Sequence, residues 1–254
     1  ATQLQDRGLI TSALFFKVYV KLSDSVLQAG TFELEQGMSL RTIVRTLGYA
    51  KATEIHVTIP EGYTLKQIGA VIVEAMPEIE TADWESMVSA EGRRVLTEDE
   101  ILMGIPADQG LEGYLFPDTY RFRSDATSAI VAETMLLTLK RRLAENGIAI
   151  PRNLIFEGGL TLHEIITLAS MVEREVRTPE DMKLVAGIFY TRMKIGMALQ
   201  ADSTVNYVTG KNATAVSLED SRVDSPYNTY QNLGLPPGPI SNPGMNAILA
   251  VLEP

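Results

Sequence analysis

A four-residue pattern, Gly-x-Ser/Thr-Leu, recurs at Gly37-Met38-Ser39-Leu40, Gly62-Tyr63-Thr64-Leu65 and Gly159-Leu160-Thr161-Leu162, and each copy marks the start of a helix. The hydroxyls of Ser39, Thr64 and Thr161 suit the unpaired N–H groups of a first helical turn, and Gln67 and Glu164 stand where a capping box needs them. Strand-like runs over 31–35 and 54–59 precede the first two copies, so residues 30–75 read as a strand–helix unit used twice. Common helix caps without any repeat ancestry explain the pattern as well, and both readings stand.

Further helices are expected over 82–89, over 128–146 with Gly147 as the stop, and over 162–176. Thr178 as cap, Pro179 at the first helical position and Asp181 three residues after the cap open another, running to about 193. Between 199 and 244 the chain turns irregular and rich in Asn, Ser, Gly and Pro, the composition of an ordered loop that builds a site. Ile105-Pro106 and Gly110 interrupt two helical patterns, which places a boundary near 105–112. The expected fold class is α+β: a strand–helix module over 1–108, then a mainly helical domain over 109–254 with a cleft built from loops.

The 32 acidic and 22 basic side chains leave a formal charge of −10, and the basic residues do not cluster apart from Lys140-Arg141-Arg142, which excludes nucleic acid as a partner. There is no cysteine, hence no disulfide, thiol nucleophile or thiolate metal site. The two histidines, His56 and His163, argue against a His-rich metal site or a Ser-His-Asp triad. No run approaches the roughly 20 apolar residues of a membrane helix. The abrupt start at Ala1 and the stop after a helical run, at Leu252-Glu253-Pro254, read as a fragment lacking an anchor or a final strand.

The segment after Thr161 carries the strongest chemical signal. At about 100° per residue, Leu162, Ile165, Ile166, Ala169, Val172 and Val176 share one face, and Glu173 falls inside it, while Glu164, Arg174 and Glu175 project elsewhere. A carboxylate on an apolar stripe loses hydration and holds its proton more tightly, as a general acid near neutral pH requires. The alternative is a rim glutamate paired with an Arg or Lys. Downstream, Leu199-Gln200-Ala201-Asp202-Ser203-Thr204 and Ser225-Pro226-Tyr227-Asn228-Thr229-Tyr230 set amide and hydroxyl donors beside aromatic rings, a composition that serves sugar recognition or ordinary turns. The aromatic segment from Leu111 to Phe122 reads as a cleft wall or as a buried hinge between domains.

Taken together these segments resemble the YceG-like endolytic murein transglycosylases. Leu168-Ala169-Ser170-Met171-Val172-Glu173-Arg174-Glu175 is similar to the family's catalytic helix, and Ile195-Gly196-Met197-Ala198-Leu199-Gln200-Ala201-Asp202 to its next signature. Tyr227-Asn228-Thr229-Tyr230, with Gly234-Leu235-Pro236-Pro237-Gly238-Pro239-Ile240, resembles the last. Ile59-Pro60-Glu61-Gly62-Tyr63 and Glu112-Gly113-Tyr114-Leu115-Phe116-Pro117-Asp118-Thr119-Tyr120 match as well. The likeness runs in order along nearly the whole chain.

The resemblance implies a lyase that cleaves the MurNAc–GlcNAc bond of nascent peptidoglycan to leave 1,6-anhydroMurNAc ends and so terminates strand elongation. It implies Glu173 as catalytic acid and base, and Gln200, Asp202, Tyr227, Asn228, Thr229 and Tyr230 as substrate-binding residues, with no metal and no cofactor. It further implies a LysM-like peptidoglycan-binding module whose rear portion is residues 7–34, penicillin-binding proteins or other glycan synthases as partners, and a single-pass anchor, absent from this chain, in the bacterial cytoplasmic membrane, with the catalytic part facing the periplasm or exterior. Two rival readings follow. Pyridoxal phosphate chemistry, an aminodeoxychorismate lyase label carried by relatives, needs a Schiff-base lysine and a phosphate cradle that Lys183 and Lys194 do not offer. A non-catalytic peptidoglycan-binding scaffold would leave Glu173 structural. A second carboxylate, Asp118 or Asp202, within about 5 to 10 Å of Glu173 would favour a two-carboxylate hydrolase.

Overall fold

A computed structural model of the chain describes residues 1–23, 25–27, 32, 34–48, 54–96, 100–148, 159–211, 213 and 215–254. The chain forms two compact units, one of Ala1–Ile55 with Arg123–Asp125 and one of His56–Phe122 with Ala126–Pro254.

The first unit carries the helices Thr2–Asp6 (α1), Ala13–Leu22 (α2) and Leu40–Gly48 (α3). Ser12 caps α2 by accepting from Phe15 N at 3.3 Å, and Ser39 accepts from Thr42 N at 3.2 Å at the head of α3. Ile10, Phe16, Ile43 and Val44 form its buried core, with Leu40 and Leu47 of α3 packed beside them, so α3 presents the i, i+3, i+4, i+7 stripe of an amphipathic helix. Of the strand expected over 31–35, Thr31 and Glu33 lie outside the described residues, and Phe32, Leu34 and Glu35 are in no strand. Only the second copy of the strand–helix unit is therefore seen among the described residues.

The elements continue with the strand Glu54–Thr58 (β1), the helices Leu65–Ala75 (α4) and Thr81–Val88 (α5), a 3₁₀ turn over Gly92–Val95 and the short helix Glu100–Met103 (α6). The strand Thr119–Arg123 (β2) pairs with β1 in a two-stranded sheet, and Ser128–Glu145 (α7), Leu162–Glu175 (α8), Pro179–Lys194 (α9), Asp202–Thr209 (α10) and Met245–Leu252 (α11) follow. Both capping boxes form: Thr64 with Gln67 heads α4 and Thr161 with Glu164 heads α8. Thr178 caps α9, with Pro179 in its first turn. The fold is α+β, as expected. β2 was not anticipated, because its alternating buried residues Tyr120 and Phe122 sit inside a segment dense in aromatics throughout.

The sequence suggests a cut at 105–112, whereas the division lies between Ile55 and His56. Physical ties hold residues 56–122 to the later helices: α5 packs on α7, and the Tyr114 hydroxyl meets His163 Nδ1 of α8 at 2.9 Å. The two pattern breaks at Pro106 and Gly110 are turns inside one core. α8 departs from the expected single apolar stripe, since every residue from Ile165 to Val172 is buried. α9, α10 and α11 all pack against it, and so does the proline-rich loop. His163 Nε2 donates to Pro237 O at 2.9 Å, Ile240 N donates to Ser170 Oγ at 3.0 Å, and Ser241 Oγ donates to Ser170 O at 3.1 Å. A central helix of this kind buries its few polar side chains only because each has a partner. Among the described residues, no helix is long and apolar enough to cross a membrane.

Candidate functional site

Glu173 is the first residue of α8 after its buried run, two residues before the helix ends, so its side chain emerges half-buried where the helix core opens. It faces a cleft of about 770 Å³ lined by the carboxylates of Glu61, Glu173, Glu175 and Asp202 and by Arg174 and Arg177. Burial raises the Glu173 pKa above the ordinary carboxylate value; Gly244 N, donating to Oε2 at 2.9 Å, opposes that rise, and the like charge of Glu61 adds to it. The result is a carboxyl group that keeps its proton more readily than a surface glutamate, beside a hydrogen bond that steadies its ionised form.

Two glycines make this packing possible. Gly62 has φ +75°, a left-handed conformation, and a β-carbon there would stand 3.4 Å from Glu173 Cγ. A side chain on Gly244 would overlap the Glu61 carboxylate. Glu173 and Glu61 thus flank Gly244, one on its N–H and the other where its side chain would be, which brings their oxygens within about 7 Å of each other.

A second cleft of about 700 Å³ shares Arg174, Ser203 and Asn206 with the first and continues past Lys66, Glu112, Tyr207 and Lys211. Arg174 Nη1 donates to Gly62 O at 3.2 Å, which fixes the wall common to both clefts. Arg174 and Glu175, expected to point away from Glu173, line its cleft because the helix terminates there and its last turn is open on several sides. Glu175 also accepts from Ser203 Oγ at 2.7 Å and Ser203 N at 3.4 Å, supplying the first turn of α10 with the acceptor that its own cap residue, Ala201, lacks.

The other residues singled out in the sequence divide. Asp202 lines the cleft with Glu173, accepting from the Tyr230 hydroxyl at 2.6 Å and from Val216 N at 3.3 Å. Tyr230 reaches the site through that bond, and burial, the hydrogen bond and the nearby charge of Asp202 push its hydroxyl up to about 12. Asn228 is fully buried; its Nδ2 donates to Ser221 O at 3.1 Å and Val223 O at 2.8 Å, and its Oδ1 accepts from Tyr230 N at 3.0 Å. Thr229 is buried as well, accepting from Ala201 N at 3.0 Å and pairing with Thr204 at 2.9 Å. Tyr227 donates to Gln109 Oε1 at 3.2 Å and tilts against Tyr207. Gln200 is exposed, off both cleft walls, in a left-handed conformation at φ 49°, with its N–H donating to Thr229 O at 3.1 Å. The structure therefore brings Asp202 together with Glu173 and uses Asn228 and Thr229 to hold the loops behind them. Asp118, the other candidate second carboxylate, is paired with Arg142 at 2.6 Å and is not on the cleft wall.

Glu61, Glu112 and Gly244 carry no assignment in the sequence reading. Glu112 is half-buried on the wall of the second cleft, and loss of hydration there pushes its carboxyl up to about 8 against hydrogen bonds from Leu65, Tyr207, Asn242 and Gly113. The available signal was glycine placement: Glu61 and Glu112 each precede a glycine with positive φ, Gly62 and Gly113. Among the described residues, no group of three or more His, Asp or Glu side chains is placed to hold a metal ion.

An α+β fold with a carboxylate-lined cleft at the end of a buried helix, and a cleft carboxyl held above its ordinary pKa, meets the physical requirements of a protein that works by acid–base chemistry. The sequence profile of the YceG-like family matches residues 1–254, and the chain belongs to that family. It is similar to the endolytic murein transglycosylase of Bacillus subtilis strain 168, at 34% identity over 100% of this chain and 72% of that protein. Its similarity to the one from Streptococcus pneumoniae strain R6 is 33% identity over 97% of this chain and 48% of that protein, so the chain spans about half the length of the streptococcal relative. In structure it is similar to a yceG-like protein from Listeria monocytogenes, with a TM-score of 0.66 and 34% identity over 100% of this chain and 85% of that one.

Proposed function

We propose that the protein is an endolytic lytic transglycosylase of peptidoglycan, a carbon–oxygen lyase, with Glu173 as its catalytic acid and base. The observation that carries this is the half-buried Glu173 carboxyl on a cleft wall, raised by burial and steadied by Gly244 N–H. The names of the relatives lend the substrate class. Protonated Glu173 gives its proton to the bridging oxygen as the C1–O bond of the muramyl residue breaks. The muramyl 6-hydroxyl then forms the C1–O6 bond, and its proton passes to the Glu173 carboxylate, which restores the acid with no water consumed. One carboxyl group suffices for both transfers, since an intramolecular hydroxyl has a high effective concentration.

Asp202 and Tyr230 are read as sugar-contacting residues, and Gln200, Tyr227, Asn228 and Thr229 as the frame that supports them. The peptidoglycan-binding module is read within residues 1–55, with a LysM-like rear portion over 7–34, and the catalytic part within 56–254. Attachment to the cytoplasmic membrane and action beside penicillin-binding proteins or other glycan synthases complete this reading. The test is mass spectrometry of uncrosslinked glycan strands incubated with the protein and with Glu173→Gln. Anhydromuramyl ends from the unaltered protein alone support the assignment. Reducing ends point to a hydrolase using a second carboxylate, and intact strands from both point to a binding scaffold.

A further inference from the structure

Glu112 lies on another cleft wall than Glu173, yet the two are joined by a short chain of hydrogen bonds. Leu65 N, in the first turn of α4, donates to Glu112 Oε1 and Oε2 at 3.1 and 3.2 Å. Asn242 Nδ2 donates to the same Oε1 at 2.9 Å and to Tyr63 O at 2.9 Å, while Asn242 Oδ1 accepts from Leu115 N at 2.9 Å. The Asn242 backbone exchanges two more bonds in an isolated antiparallel bridge, its N–H donating to Tyr63 O at 2.8 Å and its carbonyl accepting from Gly62 N at 2.9 Å. Two residues on, Gly244 N meets Glu173 Oε2 at 2.9 Å. Asn242 is fully buried, so its own polar atoms have no water to substitute for these partners.

We infer that Glu112 is a positioning residue for Glu173: by holding the Asn242 amide it fixes the strap of residues 240–244 and aims the Gly244 N–H at the Glu173 carboxylate. Oε1 accepts from both Leu65 and Asn242, so a neutral side chain with one correctly placed oxygen serves as well as a carboxylate. The elevated pKa of Glu112 agrees, since the uncharged acid is then the form present at neutral pH. Loss of the acceptor frees the strap, and loss of the Gly244 hydrogen bond leaves burial to act on Glu173 unopposed.

The inference rests on the transglycosylase reading only for its catalytic consequence, and its test does not need cleavage. In protein labelled with ¹³C at the glutamate carboxyl, the Glu173 resonance is identified by its absence in Glu173→Gln, and its titration is followed in the unaltered protein, in Glu112→Leu and in Glu112→Gln. The expected result is an upward displacement of the Glu173 midpoint by about one pH unit in Glu112→Leu, and recovery of most of it in Glu112→Gln. On glycan strands, Glu112→Leu is expected to lower kcat about tenfold with KM within about twofold. Glu112→Asp, which withdraws the carboxylate by one methylene, is expected to act like Leu and serves if Leu does not fold. An unmoved Glu173 midpoint in a folded Leu or Asp variant, or a Gln variant indistinguishable from Leu, overturns the inference. Absence of cleavage by the unaltered protein would overturn the functional reading and leave the titration result standing.

Discussion

At the scale of single residues, the behaviour of Glu173 is a balance of three neighbours. Burial and Glu61 favour the protonated form, and Gly244 N–H favours the ionised one. Glu61 is exposed, so water screens its charge and its share is the smallest of the three. Glu61→Gln removes the like charge without removing bulk, and the Glu173 midpoint is expected to fall in a carboxyl titration. On the proposed mechanism Glu173 must hold its proton at the start of the reaction, so activity is expected to be lost as pH rises through its pKa, and the alkaline limb of the pH–rate profile to move to lower pH in this variant. A limb that stays in place, or moves up, removes Glu61 from the account. Sequence periodicity could single out Glu173, because its neighbours at helical spacing are apolar. It could not single out Glu61 or Gly244, because their importance lies in contacts between residues 71 or more positions apart.

Helices and loops show the same division between local and distant causes. The capping boxes at Thr64 and Thr161 were legible because donor and acceptor lie three residues apart. Thr161→Ala removes the acceptor for Glu164 N at an exposed position, and urea unfolding is expected to show a loss of about 1 kcal/mol with cleavage unchanged, since Glu173 sits at the other end of α8. The cover over α8 was not legible: a helix looks amphipathic in sequence when its second face carries Thr167, Ser170 and His163, and while Thr167 and Ser170 donate back to the helix backbone, the proline-rich loop and Tyr114 supply the partners of the His163 ring and a further one for Ser170. The 225–230 loop shows the opposite case. Asn228 has the composition of a sugar-binding residue, yet every polar atom of its side chain is engaged by backbone between Ser221 and Tyr230. Asn228→Ala leaves the half-buried Val223 O and the Tyr230 N–H without these partners and takes one of two from Ser221 O, which keeps Gln231 Nε2 at 3.1 Å, and stability is expected to drop by about 2 kcal/mol. A folded Asn228→Ala protein of full stability, with only KM raised, would return this residue to direct substrate contact.

At the scale of the whole molecule, the formal charge and the lack of cysteine restrict partners and chemistry but say nothing of how the chain divides. The division at Ile55/His56 depends on whether residues 56–122 share a core with the later helices, and no turn signal reports that. One long-range feature does set how the stability of the second unit responds to pH. Glu112 has a pKa raised from 4.5 to about 8 by burial, so between those values the folded protein binds a proton that the unfolded chain releases. Its contribution to stability is therefore complete below about pH 4.5 and is lost as pH rises through about 8. Asp118 runs the other way: its pKa is lowered by Arg142 and by Thr119 N–H against a cost of desolvation, so its contribution is complete above the ordinary aspartate range and is lost only on further acidification. Across pH 5 to 8 the Glu112 effect stands alone of the two, with a slope no steeper than about 1.4 kcal/mol per pH unit. Urea unfolding at a series of pH values is expected to show stability rising from pH 8 to pH 5 in the unaltered protein, and a markedly flatter dependence in Glu112→Gln, which cannot ionise. Parallel curves for the two proteins would mean that Glu112 titrates alike in the folded and unfolded states, and that the hydrogen bonds from Leu65 and Asn242 fully offset its burial.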